Sequence, residues 1–287
     1  MLTHCVIPAA GFGTRMLPAA KAVPKELLPL LDTPVIQYVI DEARSAGVRD
    51  AVIVTSPEKP AIRNHFEPMA ALEARLRSSG RAAALEPLNQ LIRDLRFHYA
   101  LQHEQLGLGH AVLQAAEIVG NRAFLCMLGD TIFLGDPSPA RQLAEAHARF
   151  GGSVIGLQEV SPDRVERYGV VGGEMLDDTT IRIDRFVEKP KAADAPSNLA
   201  IAARYVLTPA IFDCLRTTPP GRGGEIQLTD ALHAMAQREP VHGVVLKASR
   251  CDIGNPIDWL KTNLMLAARD PHLRAQLAPL ARKLFDA

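Results

Sequence analysis

Two glycines and three cations lie close together near the start of the 287-residue chain: Gly11 and Gly13, then Arg15, Lys21 and Lys25. A glycine has no Cβ, so main-chain N–H groups beside it can approach an anion closely. Arginine grips two oxygens at once and lysine acts as a point charge, and a backbone cradle with such cations suits a polyphosphate. The order A-A-G-F-G-T-R-M-L-P over residues 9–18, followed by P-K-E at residues 24–26, fits neither of two common phosphate motifs. A dinucleotide fingerprint G-x-G-x-x-G would need glycine at Met16, and a P-loop would need a G-K-[ST] triplet.

The apolar run 5–8, with β-branched Val6 and Ile7, reads as a buried strand entering a parallel sheet. The glycine loop therefore leaves the carboxyl end of a strand, where open α/β sheets bind ligands. Val35, Ile36, Val39, Ile40 and Ala43 make a helical stripe over 34–46, with Gly47 placed to cap it. Residues 50–55 are a second strand, completing a βαβ unit with a right-handed crossover. Two or three helices over the sheet are expected in 58–95, with Leu72, Leu76, Leu91 and Leu95 among their apolar positions. A third strand over 97–101, a helix over 111–119 and a strand over 123–128 follow, the last ending in Gly129 and Asp130.

Beyond an amphipathic helix at 138–150 and a strand at 153–160 the pattern changes. Runs 168–172, 181–187 and 201–207 read as strands separated by turns, a mixed or antiparallel extension over the crevice. Helices at 209–215 and 226–237 and a strand at 241–246 complete the body. From Pro256 the chain reads as helical and leucine-rich. The expectation is one α/β catalytic domain over 1–255 and a C-terminal helical segment over 256–287, which either packs on the body or, the favoured reading, serves as an interface in a homo-oligomer, a dimer or tetramer.

The G-x-G-T-R signature with P-K about ten residues later resembles the sugar-phosphate nucleotidylyltransferases. The blocks P-S-N-L-A-I (196–201), R-Y-V-L-T (204–208) and G-E-I-Q-L-T-D-A (224–231) look most like the bacterial UTP:glucose-1-phosphate uridylyltransferases. This resemblance implies a three-layer Rossmann-like fold with a mainly parallel central sheet and a sugar-binding extension. It also implies transfer of a uridylyl group from UTP to glucose 1-phosphate with Mg²⁺. It assigns Ala10, Gly11, Gly13, Thr14 and Glu26 to the nucleotide, Arg15 and Lys25 to catalysis, and Gln102 with the Gly107 backbone to the pyrimidine. Asp130 and Asp252 fall to the metal, Gly169 and Glu188 to the sugar, and Lys189 to the sugar phosphate. Taken alone, a glutamine near a glycine, a turn aspartate and an E-K-P turn would each have an ordinary structural reading.

Two positions depart from the uridylyltransferase pattern. Gly129 replaces a usual proline, making L-G-D-T-I-F more like the thymidylyl- and cytidylyltransferase relatives, and Ala203 replaces a usual glycine before R-Y-V-L. The alternatives are therefore glucose-1-phosphate thymidylyltransferase, another sugar-1-phosphate nucleotidylyltransferase, or a sugar-nucleotide-binding regulator without turnover.

Lys+Arg and Asp+Glu balance at 32 each, so no overall field recruits nucleic acid or an anionic membrane. With no secretory leader pattern and no run of about 18 apolar residues, a cytoplasmic protein is expected. Cys5, Cys126, Cys214 and Cys251 form no C-x-x-C pair and read as buried thiols. His98, His103 and His110 lack the i, i+4 spacing that places two imidazoles on one helix face.

Overall fold

The computed structural model describes residues 2–285. Strand β1 (His4–Pro8) is followed by the glycine loop and a small ribbon of β2 (Pro29–Leu30) and β3 (Thr33–Pro34). Helix α1 (Val35–Ser45) buries all five apolar residues of its stripe, and Gly47, at φ +95°, donates its N–H to Arg44 O as the chain turns into β4 (Asp50–Thr55). Helices α2 (Pro60–Phe66), α3 (Ala70–Ser78) and α4 (Glu86–Asp94) precede β5 (Arg96–Leu101). Leu91 and Leu95 join the core as expected, together with Ile62 and Phe66, but α3 buries nothing and leaves Leu72 exposed. Its flanking arginines and glutamate leave too few apolar positions for a packing stripe.

The single helix expected over 111–119 is two, α5 (Leu108–Leu113) and α6 (Ala116–Val119). Strands β6 (Phe124–Met127) and β7 (Thr131–Leu134) lead to α7 (Pro139–Phe150), whose first turn is capped by Ser138 accepting from the Arg141 N–H. Then come β8 (Ser153–Glu159), β9 (Gly169–Met175), β10 (Thr180–Glu188) and β11 (Leu199–Leu207). Helices α8 (Ala210–Thr217) and α9 (Leu228–Ala236), strands β12 (Val241–Val245) and β13 (Ser249–Asp252), and helices α10 (Pro256–Arg269) and α11 (Pro271–Phe285) finish the chain.

Nine strands form one sheet in the order β5-β4-β1-β6-β11-β8-β12-β10-β9. The β5-β4-β1-β6 half is parallel, whereas β11 runs antiparallel to both β6 and β8, and β10 runs antiparallel to β12 and β9. The sugar-binding extension expected over the crevice is thus a continuation of the same sheet. It bends far enough for Ala200 of β11 to pair with Val170 of β9. One apolar core packs α1, α4 and α7 on one face and another packs α5, α8 and α9 on the other, giving three layers.

A ribbon that periodicity does not reveal carries the largest consequence for the site. β7 and β13 pair antiparallel with Thr131 opposite Asp252, and Ile253 donates its N–H to Asp130 O at 2.9 Å. The turn holding Asp130 is fixed from behind by Arg204, which is fully buried. Its guanidinium binds Thr131 O and Glu42 at 2.8 Å and also reaches Leu128 O. Arg204 follows a bulge in β11 at which Ala203 adopts φ +58° and accepts from the Leu128 N–H.

Helix α10 docks on the body. Its Trp259 Nε1 donates to Pro29 O, and Asn263 Oδ1 accepts from the Leu31 N–H, while Thr262 and Ala267 are buried. Ile257, Leu260 and Leu264 of α10 and Leu277, Leu280 and Leu284 of α11 remain exposed. Among the described residues no helix is long and apolar enough to cross a membrane.

Candidate active site

The glycine loop starts where β1 ends, tied to β4 by Ala9 N–H donating to Val54 O. Gly13 sits at φ +66°, and a Cβ there would lie 3.3 Å from the Lys25 stem, so this glycine permits both the turn and the close passage of the lysine. The loop is held by a residue the sequence reading passed over. Buried Lys59 donates to Ala9 O, Gly11 O and Glu26 Oε2, at 2.8 Å to the first and 3.0 Å to the last. With two loop carbonyls drawn toward Lys59, the loop backbone is fixed from one side. Burial pushes Lys59 down and Glu26 up, each resisted by the other's charge.

A cavity of about 510 Å³ opens beside this loop. Its lining brings together Ala10, Gly11, Gly13, Thr14, Arg15, Lys25, Glu26, Gln102, Gly107 and Asp130, all expected on the nucleotide side of the site. Lys25 Nζ pairs with Asp130 Oδ2. Burial would lower the lysine pKa, but Asp130 and Glu26 outweigh it and hold the ammonium raised. Burial would likewise raise Asp130, yet Lys25, Arg15 and Arg250 keep its carboxyl low. The pair is therefore ionised on both sides.

At the other end of the cavity Gln102, nearly inaccessible, donates to Gly107 O and lies 3.0 Å from His110 Nδ1. Gly107 (φ +99°) has no space for a side chain, since a Cβ would stand 2.7 Å from the Glu225 Cβ and 3.0 Å from Ile226 O. The segment after Gly224 thus closes the floor, and Glu225 joins the lining.

Asp252 faces a second cavity, of about 360 Å³, which shares Arg15 with the first. Its Oδ1 accepts from the Gly254 N–H at 2.9 Å. A Cβ at Gly254 would lie 2.9 Å from both that oxygen and Arg15 Nη2, so the glycine makes room for an arginine that spans the two cavities. The β7–β13 ribbon sets the backbones of Asp130 and Asp252 side by side, and their carboxylates, one lining each cavity, offer hard oxygen donors. Among the described residues no group of three or more His, Cys, Asp or Glu side chains converges. Two carboxylates suffice for Mg²⁺, which takes its remaining ligands from water and substrate phosphates.

The residues expected on the sugar side form a third cluster. Glu188 and Gly169 are paired across β10 and β9. Glu188 Oε2 accepts from Thr229 Oγ1 at 2.7 Å, and Oε1 pairs with Lys189 Nζ at 2.8 Å. A Cβ on Gly169 would lie 3.0–3.2 Å from Ile201, Thr229 and Glu188, so the backbone is open only because the residue is glycine. Lys189, at φ +46°, donates its N–H to Tyr168 O, joining this cluster to the rim of the second cavity. Lys59, Glu225 and Thr229 carried no usable sequence signal: Lys59 stood at the start of a stretch read as helical and charged, and the other two stood inside a motif without an assigned role.

Residues 4–269 match the family described as nucleotidyl transferase. A UTP–glucose-1-phosphate uridylyltransferase of Staphylococcus epidermidis is 43% identical over 283 residues, covering 99% of this chain and 98% of that protein. Among solved structures, a UDP-glucose pyrophosphorylase complexed with UDP-glucose superposes with a TM-score of 0.87 at 36% identity, over 94% of this chain and all of that one. A UTP-bound UGPase from Acinetobacter baumannii gives 0.91 at 31% identity, over 99% of this chain and all of that one.

Proposed function

Because the chain belongs to the nucleotidyl transferase family, we propose that it transfers the uridylyl group of UTP to glucose 1-phosphate, forming UDP-glucose and pyrophosphate. The observation that carries this reading is the convergence of Gln102, the glycine loop, Arg15, Lys25 and Asp130 on one cavity. An amide can donate to one edge atom of uracil while accepting from another. The loop amides and Arg15 suit the triphosphate.

A phosphate oxygen of glucose 1-phosphate attacks the α-phosphorus, and the bond to the β-phosphate oxygen breaks as pyrophosphate leaves. The attacking oxygen is already ionised, so the site needs alignment and charge stabilisation rather than a strong base. Lys25, held protonated, supplies positive charge where the α-phosphate is displaced, and Arg15 supports the departing oxygens. Glu188 and the Gly169 backbone take the sugar, and Lys189 its phosphate. Asp130 and Asp252 are the residues that would hold Mg²⁺, in keeping with the divalent metal typical of this family. When bound, that ion neutralises charge on phosphate oxygens.

Gly129 does not argue for a thymidylyltransferase. A Cβ on it would have Ile7, Glu26 and Pro8 as nearest neighbours, not Gln102. Uracil and thymine differ by one methyl, which a pocket discriminates by only about 1–3 kcal/mol, so dTTP should be a slower substrate. Pyrophosphate release measured with UTP, dTTP, CTP and ATP, crossed with several sugar 1-phosphates, tests this. UTP with glucose 1-phosphate should be fastest; no release with that pair, or a preference for dTTP, would overturn the assignment. The same reading places the chain in the cytoplasm with its nucleotide pool. It also makes the chain a homo-oligomer, joined through the exposed leucine faces of α10 and α11.

A further inference from the structure

The second cavity contains a cation to which the mechanism above gives no role. Arg250 lies two residues before Asp252 on β13, so both side chains leave the same face of the strand. Its side chain is only 12% exposed. The guanidinium carbon lies 4.9 Å from the centre of the Tyr168 ring, a stacking that fixes its plane. Nη1 donates to Ile201 O and Nη2 to Asp252 Oδ2, both at a long 3.4 Å, and buried Nε finds no hydrogen-bond partner among the described residues.

A guanidinium has five N–H donors in a rigid fork, and leaving buried ones poorly met is costly. Arg250 is thus immobilised but undersatisfied, and it borders a cavity. Such a site suits a ligand that brings several acceptor oxygens and negative charge. Its neighbours indicate which one. On one side is Asp252, and on the other is Tyr168, whose carbonyl holds Lys189 and whose next residue is Gly169. Arg250 therefore bridges the carboxylate side of the site to its sugar side. Its charge also reaches Asp130.

Resting on the uridylyltransferase reading, we infer that Arg250 binds the phosphate of the incoming sugar 1-phosphate, the group that becomes the β-phosphate of UDP-glucose. Lys189, just past the end of β10, then meets this dianion as a point charge, and Arg250 of β13 as a planar fork. The phosphate oxygens supply the acceptors that Arg250 lacks, and the stack on Tyr168 keeps the fork oriented without a rotamer search.

The test compares wild type with Arg250→Met and Arg250→Lys by equilibrium binding of UDP-glucose and of UMP, which lacks both the sugar and the β-phosphate. Steady-state kinetics accompany it. Arg250→Met should weaken UDP-glucose about tenfold and raise KM for glucose 1-phosphate similarly, while UMP binding and KM for UTP stay within about twofold. Arg250→Lys should recover part of the loss, and it carries the comparison if the methionine variant does not fold. Equal loss of UMP and UDP-glucose binding, or no loss of either, would overturn the inference while leaving the enzyme reading intact. A wild-type protein that binds neither ligand would overturn that reading, and the inference with it.

Discussion

Lys25 and Asp130, 105 residues apart in the chain, form an ion pair between the nucleotide cavity and the β7–β13 ribbon. Each is largely removed from water, and each is kept charged by the other against the effect of burial. The cation proposed to act on the α-phosphate is thereby tethered to a carboxylate proposed to hold metal. In the proposed reaction, substrate phosphates enter a place where opposite charges are already aligned, so little reorganisation is left for the reaction step.

Lys25→Met should lower kcat by about 10²- to 10³-fold, equivalent to about 2.7–4 kcal/mol, because it removes a donor aimed at charge that redistributes during displacement. Lys189→Met should act mainly on KM for glucose 1-phosphate, whose phosphate charge changes less along the reaction. Separate saturation curves for the two substrates decide this. A Lys25 variant altered only in KM for UTP, or a Lys189 variant altered only in kcat, would reverse the roles.

Asp130→Asn and Asp252→Asn should each abolish most turnover while preserving the circular dichroism spectrum. Mn²⁺ binding followed by electron paramagnetic resonance in the presence of UTP provides a second readout. Near-normal activity at limiting Mg²⁺ in either variant would remove that residue from the metal site.

Lys59→Met should raise KM for UTP, because the glycine loop loses its anchor at Ala9 O and Gly11 O. It should also destabilise the fold by about 3–5 kcal/mol, since Glu26 is left buried and unpaired. Adding Glu26→Gln should restore part of the stability measured by urea unfolding but not the affinity for UTP. Recovery of both would show that the loop does not depend on the clamp.

The legible parts of the sequence were those with local signals. β1, its loop, α1 and β4 follow from a strand run, a glycine pattern and a 3.6-residue stripe, and the structure bears them out. The β7–β13 ribbon was not legible, because T-I-F-L and S-R-C-D are four-residue strands whose pairing is fixed by contacts far apart in the chain. Arg204, Lys59 and Arg250 were missed for a related reason. A buried cation is distinguished from a solvated one only by its partners, and Glu42, the loop carbonyls and the Tyr168 ring are remote in sequence. The sugar-side residues were reached through motif resemblance, since an E-K-P turn carries no periodicity of its own.

Ala203→Gly should leave stability within about 1 kcal/mol of wild type. Relief of the left-handed backbone, about 1–2 kcal/mol, is offset by the larger unfolded-state entropy of glycine, about 0.4–1, and by loss of a buried methyl, about 0.8. Ala203→Val, a β-branched residue at φ +58°, should cost more than about 2 kcal/mol. Urea titration of both variants checks this. The ratio of UTP to dTTP turnover should be unchanged in the glycine variant, since position 203 acts on the backbone behind Asp130; a changed ratio would give it a part in specificity.

Asp50 should make stability depend on acid pH without touching catalysis, since it lies at the amino ends of the strands. Hydrogen bonds from Arg96, then His98, hold its carboxyl well below the usual carboxylate range. Its contribution is complete above the unfolded pKa, about 4, and is lost as pH falls below that toward the depressed folded value. Asp50→Asn should therefore cost about 1–2 kcal/mol at pH 7, a range discounted because Arg96 is largely exposed, and the gap to wild type should narrow below about pH 4. A gap in Tm that stays constant from pH 7 to pH 3 would assign the effect to packing.

The pairing of β7 with β13 also imposes an order of events on synthesis. As the chain leaves the ribosome, the glycine loop, Lys25, Gln102 and Asp130 are all available before Asp252, which follows Asp130 by 122 residues. A nascent chain can pair β1, β4, β5 and β6 early, but the pocket lacks its floor until Glu225 emerges, and the second carboxylate follows later still. Helix α10, whose Trp259 and Asn263 hold the β2–β3 ribbon that follows Lys25, comes after β13. A chain released before β13 therefore lacks one of the two carboxylates outright, together with the strand that pins the turn of Asp130.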